Sequence, residues 1–150
     1  LDFVPEDRAD LREPLIDIIQ RFADAVLAHQ VDGVWYQITN QPDATGNYPE
    51  ASGSSMFVYM LAKAVNEGYL DASYAEATAN AYASVVAEFV NVDANGAVSL
   101  RSVCQVAGLG YGRDGSYRYY MSEPVIANDP KGVGPFIMAG IQVSKMLAEK

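Results

Sequence analysis

The chain has one cysteine, Cys104, and one histidine, His29. A single thiol excludes an internal disulfide, and one Cys with one His offers no cluster from which a zinc site is built. No metal and no cofactor are expected, and Cys104 reads as a small buried hydrophobe. Cations are scarce too: 10 Lys and Arg stand against 19 Asp and Glu, for a formal net charge of -9. A surface of that sign repels nucleic acid phosphates and anionic lipid, so neither is expected as a partner. No apolar run reaches the roughly 18–20 residues that span a bilayer, and no signal peptide is visible. The expectation is a cytoplasmic protein, with the natural N-terminus upstream of Leu1, which is not a methionine.

What the chain does have is helical periodicity broken by long polar connections. Its 150 residues fit one domain, 1–150, with a core of ordinary size. Asp10 with Glu13 gives a capping-box pattern opening a helix over about 11–30. Leu11, Leu15, Ile18, Ile19, Phe22, Val26 and Leu27 make its apolar face, and Asp17, Gln20, Arg21 and Asp24 its wet side. GVWYQIT, 33–39, reads as a short strand or extended loop ending in a turn. A helix over about 52–67 is apolar all round, with Lys63 its only charge before Glu67, and Gly68 stops it. Ser73 with Glu76 opens a third helix, to about residue 90, that is amphipathic again. Asn95-Gly96 between valines resembles a hairpin. Asp129 as cap and Pro130 at the first position open a fourth helix, over about 132–147, apolar on several sides.

Before that last helix lies the stretch 104–134, glycine-rich and tyrosine-rich. A connection of ~30 residues far exceeds the usual ~4–6 and is functional or disordered. Tyr111, Tyr117, Tyr119 and Tyr120, with Val106, Leu109, Met121, Val125 and Ile126, supply apolar surface that disordered segments lack, so an ordered functional loop is expected.

Wet-sided helices thus alternate with buried ones, and long connections lead into each buried helix. This is the pattern of an all-α protein, an α/α toroid, in which the loops entering the inner helices line a cleft. A four-helix bundle is the plainer alternative, but its connections run to ~2–8 residues.

Two stretches, HQVDGVWYQITNQPDATGNYPEASGSSMFVYMLAKAVNEGYL and CQVAGLGYGRDGSYRYYMSEPVIANDPKGVGPFIMAG, carry a resemblance. With the GVWYQ, EASGSSMF and NDPKGVGPF blocks in order and at the right spacing, the chain resembles the later part of the unsaturated rhamnogalacturonyl hydrolases over about residues 1–148. These form glycoside hydrolase family 105, related to unsaturated glucuronyl hydrolases. The resemblance implies a portion of an (α/α)6 barrel and removal of an unsaturated uronic acid from lyase-generated oligosaccharides, as in pectin degradation. In the family an aspartate acts as acid/base to hydrate the C4–C5 double bond. Members are more than twice as long, and their catalytic aspartate, its histidine and tryptophan companions and a WARGNGW-like motif belong to a half with no counterpart here. No catalytic residue is therefore assigned, and the chain alone is expected to be inactive.

Candidate substrate-binding residues are Trp35, Tyr36, Gln37, Glu50, Ser52, Lys131 and Gly132. Aromatic faces and an amide suit a sugar, although Trp35 equally suits packing between helices. Glu50 and Ser52 stand at a helix N-terminus, where they either attend an anion or simply cap. Lys131 with Gly132 opens another helix, where a cation needs an anionic partner: a uronate, or Asp114, Glu123 or Asp129. Two other readings stay open. One is a non-enzymatic α/α carbohydrate-binding or interaction module, and the other a glycosidase using Asp114, Glu123 and Asp129 as its own carboxylates. Helices 52–67 and 132–147 carry more apolar surface than two neighbours cover, so a homo-oligomer, or association with a complementary N-terminal half, is expected.

Overall fold

A computed structural model describes residues 1–148. Among them are five helices: α1 (Ala9–Ala28), α2 (Ala51–Asn66), α3 (Tyr74–Phe89), α4 (Tyr117–Tyr120) and α5 (Pro130–Ala148). Two short antiparallel ribbons join them, β1 (Val90–Val92) with β2 (Val98–Leu100), and β3 (Val103–Cys104) with β4 (Val125–Ile126). The chain is all-α in character, as expected, and its α/α hairpins have the architecture of part of an α/α toroid.

Helix α2 is the centre. Eight of its sixteen residues are buried, six of them Ala or Ser, and this small-residue surface lets α5 and α3 approach its axis closely. Val58, Leu61 and Ala62 are wholly buried against Val85 and Phe89 of α3 and Ala139 and Val143 of α5 in one core. Tyr82 of α3 stacks on Phe136 of α5, with centroids 5.8 Å apart. The helix ends at Asn66 with Glu67 as its C-cap, and Gly68 at φ +70 takes the left-handed conformation that closes helices, as the sequence predicts.

The connection 29–50 is held by Trp35. Its indole N–H donates to the Val26 carbonyl at 2.7 Å, and its backbone N–H donates to the Ser54 hydroxyl at 3.0 Å. The ring meets Phe57 edge to face at 5.3 Å, and Phe57 meets Phe22 in the same way at 5.9 Å. Of the short strand or extended loop read over 33–39, the structure has the extended loop. Single bridges, Val31 to Val34 and Tyr36 to Pro49, stand in place of a strand, because no second strand runs alongside.

Several sequence expectations are corrected by the packing. Helix α1 starts at Ala9 without a side-chain cap, and Asp10 pairs with Arg8 at 2.7 Å instead of capping. Ser73 has helical backbone angles, so it does not cap α3, and the Asp71 carboxylate accepts its N–H at 2.8 Å. The fourth main helix is not more buried than α3: Ile137, Met138, Ile141 and Leu147 are exposed, while Ala75, Thr78, Ala81, Val85 and Phe89 of α3 are buried. α5 packs chiefly on α2, and among the described residues nothing covers its other side. Likewise only Ala23 and Val26 of α1 are buried, and Leu11, Leu15, Ile18 and Phe22 form a stripe open to solvent.

The start of α5 behaves as read. The Asp129 carboxylate accepts the Lys131 N–H at 2.8 Å, and Pro130 occupies the first helical position. Gly132 lets this end pass close over β3: a Cβ there would lie 2.7 Å from Cγ2 of Val103 and 3.3 Å from Cδ2 of Leu100. Val103 is wholly buried and β-branched, so it has little room to turn aside. Gly132→Ala is therefore expected to destabilise the fold by roughly 1–3 kcal/mol despite the higher helix propensity of alanine, read as a lower urea midpoint.

Candidate functional site

The ends of the long loop and the N-terminus of α2 converge on a cleft of about 290 Å³. Gln37 enters it from the 29–50 connection, Ser52 from the first turn of α2, Cys104 from β3, and Lys131 from the first turn of α5. Val106, Ala107 and Tyr120 of the loop complete the lining. The β3–β4 pairing, Val103 with Ile126 and Cys104 with Val125, is what folds the loop back over the helix ends.

Three sequence candidates, Gln37, Ser52 and Lys131, therefore meet in one place. The other four go elsewhere. Trp35 is 1% exposed and fully engaged in the core, so packing is its role in this structure. Tyr36 faces a separate groove beside Ser84, Ala87 and Glu88 of α3, since neighbouring residues of an extended segment point to opposite sides. Gly132 is buried against Val103. Glu50 lies behind the cleft, 4% exposed, as the N-cap of α2. Its carboxylate accepts the Gly53 N–H at 2.6 Å, the Ser52 hydroxyl at 2.8 Å and the Cys104 N–H at 2.9 Å.

Lys131 has two neighbours of its own: its ammonium donates to the Cys104 carbonyl and lies 3.4 Å from the Asp129 carboxylate. The cation is anchored yet half-exposed at the cleft, available to an anion. Burial pushes the Cys104 thiol up, and burial with the adjacent Cys104 pushes the Tyr48 hydroxyl well up. Both groups are neutral at physiological pH. The Tyr48 hydroxyl is buried with no hydrogen-bond partner among the described residues.

None of the seven lining residues is a carboxylate. Asp114, one of the three candidate acids, accepts the Ser116 N–H at 2.9 Å, which holds its carboxyl below the usual range, and Asp129 is engaged with Lys131. Sequence reasoning missed Cys104, Val106, Ala107 and Tyr120 as lining residues. The available signal was position, since Cys104 and Lys131 stand near the two ends of the same loop.

The family model described as Glycosyl Hydrolase Family 88 matches residues 1–147. The chain belongs to this family. Over 96% of its length it superposes on a family 105 glycoside hydrolase of C. acetobutylicum with a TM-score of 0.92 and 42% identity, so the resemblance to family 105 holds. A possible member of family 105 from Klebsiella pneumoniae shares the fold, with a TM-score of 0.75, 24% identity and 98% of this chain covered. A 24.9 kDa protein in the picA locus of Rhizobium radiobacter is 37% identical over 151 residues, 93% of this chain. The chain spans 63% of the length of that relative, 41% of the C. acetobutylicum structure and 35% of the Klebsiella structure.

Two outcomes follow. With its thiol buried and pushed up, Cys104 holds less thiolate at any given pH than a free cysteine, so alkylation by iodoacetamide at pH 8 should be slow in the folded chain and accelerate on unfolding in urea. Glu50→Ala strips a buried cap and leaves the Cys104 N–H unpaired; a loss of roughly 2–4 kcal/mol is expected in denaturant unfolding, and less for Glu50→Gln.

Proposed function

We propose that this chain is one portion of a glycoside hydrolase that removes an unsaturated uronic acid, of the rhamnogalacturonyl or glucuronyl type, from lyase-generated oligosaccharides, as in pectin breakdown. In this reading Lys131 takes the uronate carboxylate, and the Gln37 amide with the Ser52 and Tyr120 hydroxyls takes sugar hydroxyls. The acid/base groups come from the other portion of the barrel. The observation that carries the proposal is the make-up of the cleft, which joins one half-exposed cation to hydroxyl and amide groups with no carboxylate among its lining residues. General acid/base catalysis needs its carboxyl within hydrogen-bond reach of substrate, so such a cleft binds but does not turn over.

The same reading accounts for the open stripes of α1 and α5, which are faces for the complementary portion or for a second copy of the chain.

The test is to follow loss of absorbance of the unsaturated ring with the purified 150-residue chain. No turnover is expected from it alone. Turnover should appear when a polypeptide supplying the rest of the barrel is added, and Lys131→Met should then weaken substrate binding by about tenfold or more. Turnover by the isolated chain near that of a longer relative would defeat the reading. Sedimentation at micromolar concentration should show self-association of the chain alone.

A further inference from the structure

The tip of the long loop presents an aromatic ring that the fold does not use. Tyr111 is fully exposed, and Leu109 beside it is 73% exposed. Tyr111 sits at φ +53 between Gly110 at φ +83 and Gly112 at φ +82, in a tight turn closed by the Arg113 N–H donating to the Gly110 carbonyl at 3.0 Å. A left-handed backbone is costly for tyrosine and cheap for glycine, and here no packing offsets the cost. The turn stands on a fixed base. The Tyr119 hydroxyl accepts the Gly108 N–H at 3.3 Å, the Ser116 hydroxyl accepts the Tyr119 N–H at 3.1 Å, and the Tyr117 hydroxyl donates to the Thr45 carbonyl at 3.1 Å.

Beside the turn lies a polar groove of about 480 Å³, lined by Gly112, Asp114, Ser116, Arg118, Tyr119 and Ser122. Its volume is within the ~300–1,000 Å³ of small-ligand sites. Arg118 is exposed and makes no ion pair among the described residues, and the Asp114 carboxylate is turned to the Ser116 N–H. An exposed aromatic ring on a hydrogen-bonded turn, a guanidinium with no ion pair and the hydroxyls of Ser116, Tyr119 and Ser122 are groups that suit an acidic sugar.

We propose that residues 108–119 with Ser122 form a second carbohydrate subsite, in which the Tyr111 ring stacks on a sugar unit and Arg118 takes the carboxylate of an acidic unit beyond the unsaturated end. The proposal rests on the hydrolase reading for its ligand class and lies outside the Lys131 cleft. A chain of net charge -9 repels polyanions in general, so a local guanidinium selects where such an oligosaccharide settles.

The experiment is an NMR titration of the full 150-residue chain with a saturated galacturonate oligosaccharide and with a neutral gluco-oligosaccharide. A saturated galacturonate carries carboxylates that suit Lys131 as well, so the two sites are separated by residue: Lys131→Met should abolish shifts at the Lys131 cleft and leave those of the loop unchanged. The acidic sugar should shift amides within 108–118, short of Tyr120, which lines the Lys131 cleft. Tyr111→Gly and Arg118→Gln should each weaken it by about fivefold, and Tyr111→Phe should retain it. The melting temperature of Tyr111→Gly should stay level or rise, because glycine relieves the left-handed strain, whereas a merely structural tyrosine would lower it when removed. Unchanged affinity in Tyr111→Gly, equal affinity for the neutral sugar, or no binding at all would overturn the subsite. Failure of the hydrolase reading is seen separately, in the absorbance assay.

Discussion

A single buried carboxylate sets the relation between the three segments that meet at the cleft. Glu50 ends the 29–50 connection, caps α2 and reaches across to the backbone of β3. Its own N–H donates to the Trp35 carbonyl at 2.9 Å, and the next residue's N–H donates to the Ser102 carbonyl at 2.8 Å. A carboxylate taken out of water is tolerable only when donors replace its lost hydration. Here a helix N-terminal amide, a hydroxyl and a strand amide do so, with the positive end of the α2 dipole beneath them. Ser52 is aimed by the same carboxylate, and Cys104, whose carbonyl holds Lys131, is tied by it. The cleft therefore inherits its shape from a group that does not line it.

Much of this was legible in the residues. The apolar circumference of 52–67 marked the central helix because only a helix enclosed on most sides has no use for charge. Asp129-Pro130 marked the start of α5 through local chemistry alone. The Asn95-Gly96 turn was readable for the same reason, and β1 and β2 flank it as expected. The failures have a shared physical cause. At Asp10 and Ser73 capping motifs were read as local signals, but a neighbouring Arg8 and Asp71 competed for the same partners. Trp35 was readable both as a sugar platform and as packing between helices because exposure is not encoded at a single position; the Val26 carbonyl and Phe57 that bury it come from two different helices. The buried acid was seen as a cap candidate, yet its bond to Cys104 joins residues 54 positions apart, which no local pattern shows.

The burial ranking of the helices went wrong for a more instructive reason. Apolar composition states what surface a helix seeks to hide, whereas burial states what the chain has available to hide it. Helix α5 is as apolar as expected and still presents Ile137 and Ile141 to solvent, as α1 presents Leu15 and Ile18. These two helices flank α2, which is covered on both sides, so exposure rises from the centre of the assembly to its edges. That gradient matches a wedge of a ring whose relatives are longer than this chain.

The ribbon formed by β3 and β4 also governs how freely the loop above it is able to diverge. Once Cys104 and Val125 are paired, the intervening stretch is a closed circuit whose ends are already together, so its length enters stability only logarithmically, at about 0.6 kcal/mol for each doubling. Insertions and exchanges at the crown are nearly free, while the clasp, Glu50 and the start of α5 stay as they are. A fold clasped in this way can carry many different crowns on one unaltered frame, so a change at the crown does not first require repair of the core.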